Sequence, residues 1–86
     1  MSRKEVTVQI PGGLEARPIA VLVQVASQYE SSIYLEVEGK RVNAKSIMGM
    51  MTLGLNAGEK ITIEATGSDE EAAVEGIEKY ITGKEM

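Results

Sequence analysis

Glu15, Arg17 and Ser46 are the side chains whose types and placing suit the handling of a charged group. Arg17 offers a planar fork of donors matched to phosphate or carboxylate. It falls in the first turn of an expected helix, where a positive charge is slightly unfavourable, and that penalty favours a role beyond solubility. Ser46 stands where a short helix should begin, a place at which a serine hydroxyl accepts from a backbone N–H one turn in. Glu15 tops the helix that follows it, its carboxylate near the unpaired N–H groups of residues 16 to 19. Two other readings of Glu15 stand beside that one. It is a fixed charge in place of a phosphorylated side chain, a weak imitation with less charge and fewer acceptor oxygens, or a nucleophile that forms an acyl phosphate.

Other chemistries lack their residues. The chain has no His and no Cys, which removes the imidazole base, the thiolate, the disulfide and a His/Cys metal cluster. No nucleophile adjoins a general base, no GxxxxGK[ST] loop is present, and Gly12-Gly13 is explained by a turn. Glu36 and Glu38 alternate on the solvent face of a strand and read as solubilising charge. A non-enzyme without cofactor or metal is expected.

At 86 residues the chain suffices for one domain, residues 1–86, and such a domain buries only about 60 to 65% of its unfolded surface. Its core must be closely patterned. The absence of Cys suits a reducing compartment, and a cytoplasmic protein is expected. Met-Ser-Arg-Lys-Glu leads straight into alternating residues, with no signal-peptide core and no long apolar span. A net charge of −4 and aromatics limited to three Tyr argue against direct binding of nucleic acid.

Hydrophobic period orders the elements. Val6, Val8 and Ile10 alternate with Glu5, Thr7 and Gln9 before Pro11-Gly12-Gly13, predicting a strand over 5 to 10. Pro18 suits a first helical turn, and Ile19, Leu22, Val23 and Ala26 make one helical face ending near Tyr29. Ile33, Leu35 and Val37 predict a strand that turns at Glu38-Gly39-Lys40 into a return strand at 41 to 43. Residues 47 to 53 predict a short Met-rich helix. Lys60 to Thr66 alternates with Ile61, Ile63 and Ala65 inward. Ser68 and Glu71 form a candidate capping box, Glu75 and Lys79 an i,i+4 pair, and Ala73, Val74, Ile77 and Ile81 the buried stripe of a last helix. The order β-α-β-β-α-β-α with one-sided strands implies an antiparallel sheet covered by helices on one face. The strand at 5 to 10, ahead of Pro-Gly-Gly, is a candidate for exchange between protomers.

Gly13-Leu14-Glu15-Ala16-Arg17-Pro18 and Val42-Asn43-Ala44-Lys45-Ser46-Ile47-Met48-Gly49-Met50-Met51 resemble the two signature segments of the HPr family, phosphocarriers of the bacterial sugar phosphotransferase system. The similarity extends over nearly the whole chain. It implies an α+β fold, the HPr-like open-faced β-sandwich βαββαβα, a four-stranded antiparallel sheet with three helices on one face. In that family the residue before Ala-Arg-Pro is the histidine that carries phosphate, and here it is Glu15. Without imidazole no phosphohistidine can form, so the carrier chemistry does not transfer. Ser46 matches the serine that is the regulatory phosphorylation site in the Gram-positive branch.

A lost histidine with a kept serine is similar to the Crh group of the family, although Crh-like proteins often carry neutral Gln where this chain has Glu15. The resemblance implies phosphorylation of Ser46 by HPr kinase/phosphorylase with ATP. The modified form would then dock on CcpA, a LacI-type regulator, as corepressor of carbon catabolite genes. It further implies that Arg17 organises the phosphorylated serine and that Ala20, Ile47, Met48 and Met51 form an apolar partner surface, while Met50 and Leu53 fill the core. Lys45 is either a solvated charge or an aid by which kinase or regulator finds the serine. Rival expectations are a phosphotransfer component working through Glu15, a decoy that binds Enzyme I or sugar transporter domains, and a carrier whose histidine has been exchanged for glutamate.

Overall fold

The computed structural model describes residues 1–10, 16–54 and 56–83. Its elements are β1 (Ser2–Thr7), α1 (Ala16–Ser27), β2 (Ser32–Val37), β3 (Lys40–Asn43), α2 (Ile47–Met50), β4 (Lys60–Thr66) and α3 (Glu70–Ile81). This is the expected order. The strands form one antiparallel sheet in the order β1-β4-β2-β3, with Val6 opposite Ile61, Leu35 opposite both Ile63 and Val42, and Ile33 opposite Ala65. The period-2 rows therefore line up across the sheet. Ile33, Leu35, Ile61, Ile63 and Ala65 are all at most 1% exposed. The helices bring Ile19, Leu22, Ala26, Ala73, Ile77 and Ile81 onto that face. The result is the open-faced sandwich of four antiparallel strands and three helices.

The first strand lies three residues earlier than the alternation suggests. Val6 and Val8 are inward as expected, but the ladder with β4 runs from Ser2 to Thr7. Beyond it Val8 still exchanges backbone bonds with Gly58 and Glu59, and Gln9 N–H donates to the Ile81 carbonyl at the end of α3. Period-2 hydrophobicity misses the start because the row that holds Val6 continues backwards as Lys4 and Ser2. These polar residues reach α3, with Lys4 Nζ 2.8 Å from a Glu78 oxygen and Ser2 Oγ donating to Glu70 at 2.9 Å.

The capping box at Ser68 and Glu71 does not form. The Ser68 hydroxyl donates instead to Glu30, at 3.4 Å. Asp69 is the N-cap residue, yet its carboxylate accepts from the backbone N–H groups of Glu30 and Ser31 and from the Ser31 hydroxyl. Glu70 takes over the local capping role by accepting from Gly67 N–H at 3.1 Å. Ser31 is 1% exposed, and a buried donor left unpaired costs more than a cap gains, so the distant loop captures the carboxylate. Gly67 lets the two segments meet. At its φ of +154 a Cβ would come within 2.7 Å of the Ser31 Cα.

These bonds hold both carboxyls below the ordinary range. Asp69 is lowered first by the Ser31 hydroxyl and then by Glu30 N–H. Glu70 is lowered to about 2, first by the N-terminal ammonium of Met1, then by Gly67 N–H and Ser2. On the helix itself the Glu75–Lys79 pair forms at 3.1 Å.

The β2–β3 turn is tighter than the expected three residues, because only Glu38 (φ 50) and Gly39 (φ 82) bridge the strands. Glu38 thus belongs to the turn and not to the strand. On the uncovered face of the sheet Glu64 lies between Arg3 and Arg41, Arg3 also meets Glu36, and Arg41 stacks 4.1 Å from the Tyr34 ring centre. Glu36 is therefore an ion-pair partner as well as a solvated charge.

Candidate functional site

The site is built on the segment from Asn43 to Leu53 and on α1, which packs against α2. An Asn turn shapes its entrance. Asn43 Oδ1 accepts from Lys45 N–H at 2.8 Å, and the Asn43 carbonyl accepts from Ser46 N–H at 3.0 Å. This is the local bonding that Asn provides two residues ahead of itself. Ser46 then leaves in an extended conformation (φ −111, ψ 111), and its Oγ accepts from Gly49 N–H at 3.2 Å. It is the expected N-cap. The side chain is half-buried, not interior. A Cβ at Gly49 would stand 3.5 Å from Ser46 Oγ, so the glycine keeps one flank of the hydroxyl open.

The helix that follows spans four residues and not the seven expected. Met51 closes it as C-cap, and the chain turns through Thr52 N–H to Gly49 O and Leu53 N–H to Met50 O. Its side chains divide as the sequence suggests. Met50 is fully buried and Leu53 packs on the core, whereas Ile47, Met48 and Met51 are 48%, 83% and 55% exposed. These three exposed apolar side chains fall within five residues, from Ile47 to Met51.

Arg17 and Ala20 are exposed on α1. Val21 is exposed as well, at 37%, and was not singled out by periodicity. Its signal lay in the heptad, because Ile19, Leu22 and Ala26 define the buried face and leave position 21 outside it. Glu15, with Pro11 to Leu14, lies outside the described residues.

Lys45 is not a fully solvated charge. Its ammonium donates to the Tyr29 carbonyl at 2.7 Å, just beyond the end of α1, and the residue is half-buried. Sequence separation hid that acceptor. Among the described residues no three metal-ligating side chains come together, and no described helix is long and apolar enough to cross a membrane. What the arrangement presents is a half-buried hydroxyl at the start of a short helix, with exposed apolar side chains following it.

Known proteins share this sequence pattern and fold. The family model described as the PTS HPr component phosphorylation site matches residues 2–83. The HPr-like protein Crh of Bacillus subtilis is 44% identical over 81 residues, covering 94% of this chain and 95% of that protein. Among solved structures, the HPr-C-His crystal structure from Thermoanaerobacter tengcongensis superposes with a TM-score of 0.91 at 40% identity, covering 100% of both chains. The Bacillus subtilis Crh crystal structure, described as a swapped dimer, superposes with a TM-score of 0.81 at 42% identity, covering 100% of this chain and 99% of that one. With the family model matching residues 2–83 and the Crh protein 44% identical over 94% of this chain, the chain belongs to the HPr family.

Proposed function

We propose that this HPr-family protein is a cytoplasmic regulator of the Crh type and not an enzyme. HPr kinase/phosphorylase transfers the γ-phosphoryl group of ATP to Ser46, and the product binds a CcpA-type, LacI-like regulator as corepressor in carbon catabolite repression. The observation that carries this reading is the half-buried Ser46 hydroxyl at the start of α2, flanked by exposed Ile47, Met48 and Met51. A phosphoryl group there adds about −1.5 to −2 charges and several strong acceptors next to an apolar patch. Affinity then comes from covering the patch, and the switch comes from charge. Arg17 supplies the guanidinium that organises the phosphoserine, Ala20 extends the patch along α1, and Lys45 borders the serine. The similarity to Crh supports the assignment, as does the chain's lack of histidine, since phosphohistidine transfer is chemically closed to it.

The test is intact mass after incubation with HPr kinase and ATP, and separately with Enzyme I and phosphoenolpyruvate. One phosphate on Ser46 is expected in the first and no gain in the second. Phosphate retained by a Ser46→Ala variant, or an adduct on Glu15, overturns the assignment. A decoy acting on the phosphotransferase system would instead compete with true HPr for Enzyme I.

A further inference from the structure

We propose that Lys45 and Lys40 are positioning residues that clamp α2 from its two sides, rather than contacts that meet a partner's charge. The inference rests on the docking role given to α2 above. Four helical residues do not hold themselves, because nucleation fixes several dihedrals for one hydrogen bond and isolated helices shorter than about 12 residues are marginal. The segment has to be held from outside.

Upstream, Lys45 reaches back to the Tyr29 carbonyl at 2.7 Å. The Tyr29 carbonyl lies just past the negative end of α1, so an ammonium is well matched to that acceptor. Tyr29 is itself fixed in place. Its ring fills a notch at Gly76 of α3, where a Cβ would lie 2.2 Å from the phenol oxygen. The start of the docking segment is thus tied through one ammonium to both longer helices.

Downstream, Lys40 of β3 donates to the Thr52 carbonyl at 2.9 Å, and the Thr52 hydroxyl donates to the Gly49 carbonyl at 2.7 Å. Among the described residues neither lysine joins an ion pair, whereas Arg3, Lys4, Arg41 and Lys79 all do. The two ammonium groups that border α2 are spent on neutral backbone oxygens.

Lys45→Met and Lys40→Met keep the aliphatic stems and remove the donors, while Lys45→Arg and Lys40→Arg keep a donor. In the free full-length chain, amide exchange at Met50, Met51 and Thr52 is expected to rise about three- to tenfold in the Met variants, the size of one lost hydrogen bond. Exchange in β4 stays unchanged, which shows the fold intact. Affinity of the Ser46-phosphorylated chain for CcpA falls by a similar factor with an unaltered salt dependence, and the Arg variants recover both. Native exchange rates in both Met variants, or an affinity loss that appears only as a shallower salt dependence, overturns the clamp. Met48→Asp separates the two claims. If it leaves CcpA binding unaltered the docking reading fails, while the exchange measured in the free protein still decides the clamp.

Discussion

The junction of β4 with α3 and the segment around α2 are held by opposite means. At the junction carboxylates make the ties: Asp69 satisfies a buried loop and Glu70 binds Gly67 N–H and the start of β1, and farther along α3 Glu78 meets Lys4. Beneath them Ile61, Ile63 and Ile77 are at most 1% exposed. Around α2 the sign is reversed, with lysines reaching for carbonyls, and methionines are displayed to solvent. The difference separates a part whose apolar side chains are buried from a part whose apolar side chains remain in water.

The sharpest way to break this contrast is a pair of truncations. Ile63→Ala should cost about 4 kcal/mol in urea denaturation, because it leaves a cavity between sheet and helices, while Met48→Ala should change stability by less than about 0.5 kcal/mol. Comparable losses in both would mean that α2 is as much a part of the core as β4.

Acid titration comes next. Glu70 ionises at about 2 when folded against a reference of 4.5, and Asp69 is lowered from 3.8. Below those reference values the unfolded chain binds more protons than the folded one, so stability is intact above about pH 4.5 and drains as pH falls toward 2. The urea midpoint should follow that course, and Glu70→Gln should make the decline shallower. A slope unaffected by that substitution would remove Glu70 from the junction.

The smallest effect is the most discriminating for the cap. Ser68→Ala should shift stability by less than about 0.5 kcal/mol, since its hydroxyl caps nothing, whereas a capping-box serine would lose about 1 kcal/mol. Thermal melts distinguish the two.

Whatever depends on near neighbours was legible in the chain. The inward rows of β2 and β4, the stripe of α3 and the Ser46 cap follow from period and spacing, while the exposure of Met48 was legible only through the family resemblance. Bonds across long separations were not. Asp69 is 38 positions from Ser31 and Lys45 is 16 from Tyr29, and no local pattern marks such acceptors. The early start of β1 was hidden for a related reason, since Lys4 and Ser2 look solvent-facing until α3 brings its carboxylates to them.

Glu64 carries one more consequence. Its two oxygens answer guanidiniums from opposite margins of the sheet, so a single carboxylate ties the two edge strands across the bare side. A visitor landing on Glu64 would have to separate those existing pairs before making its own.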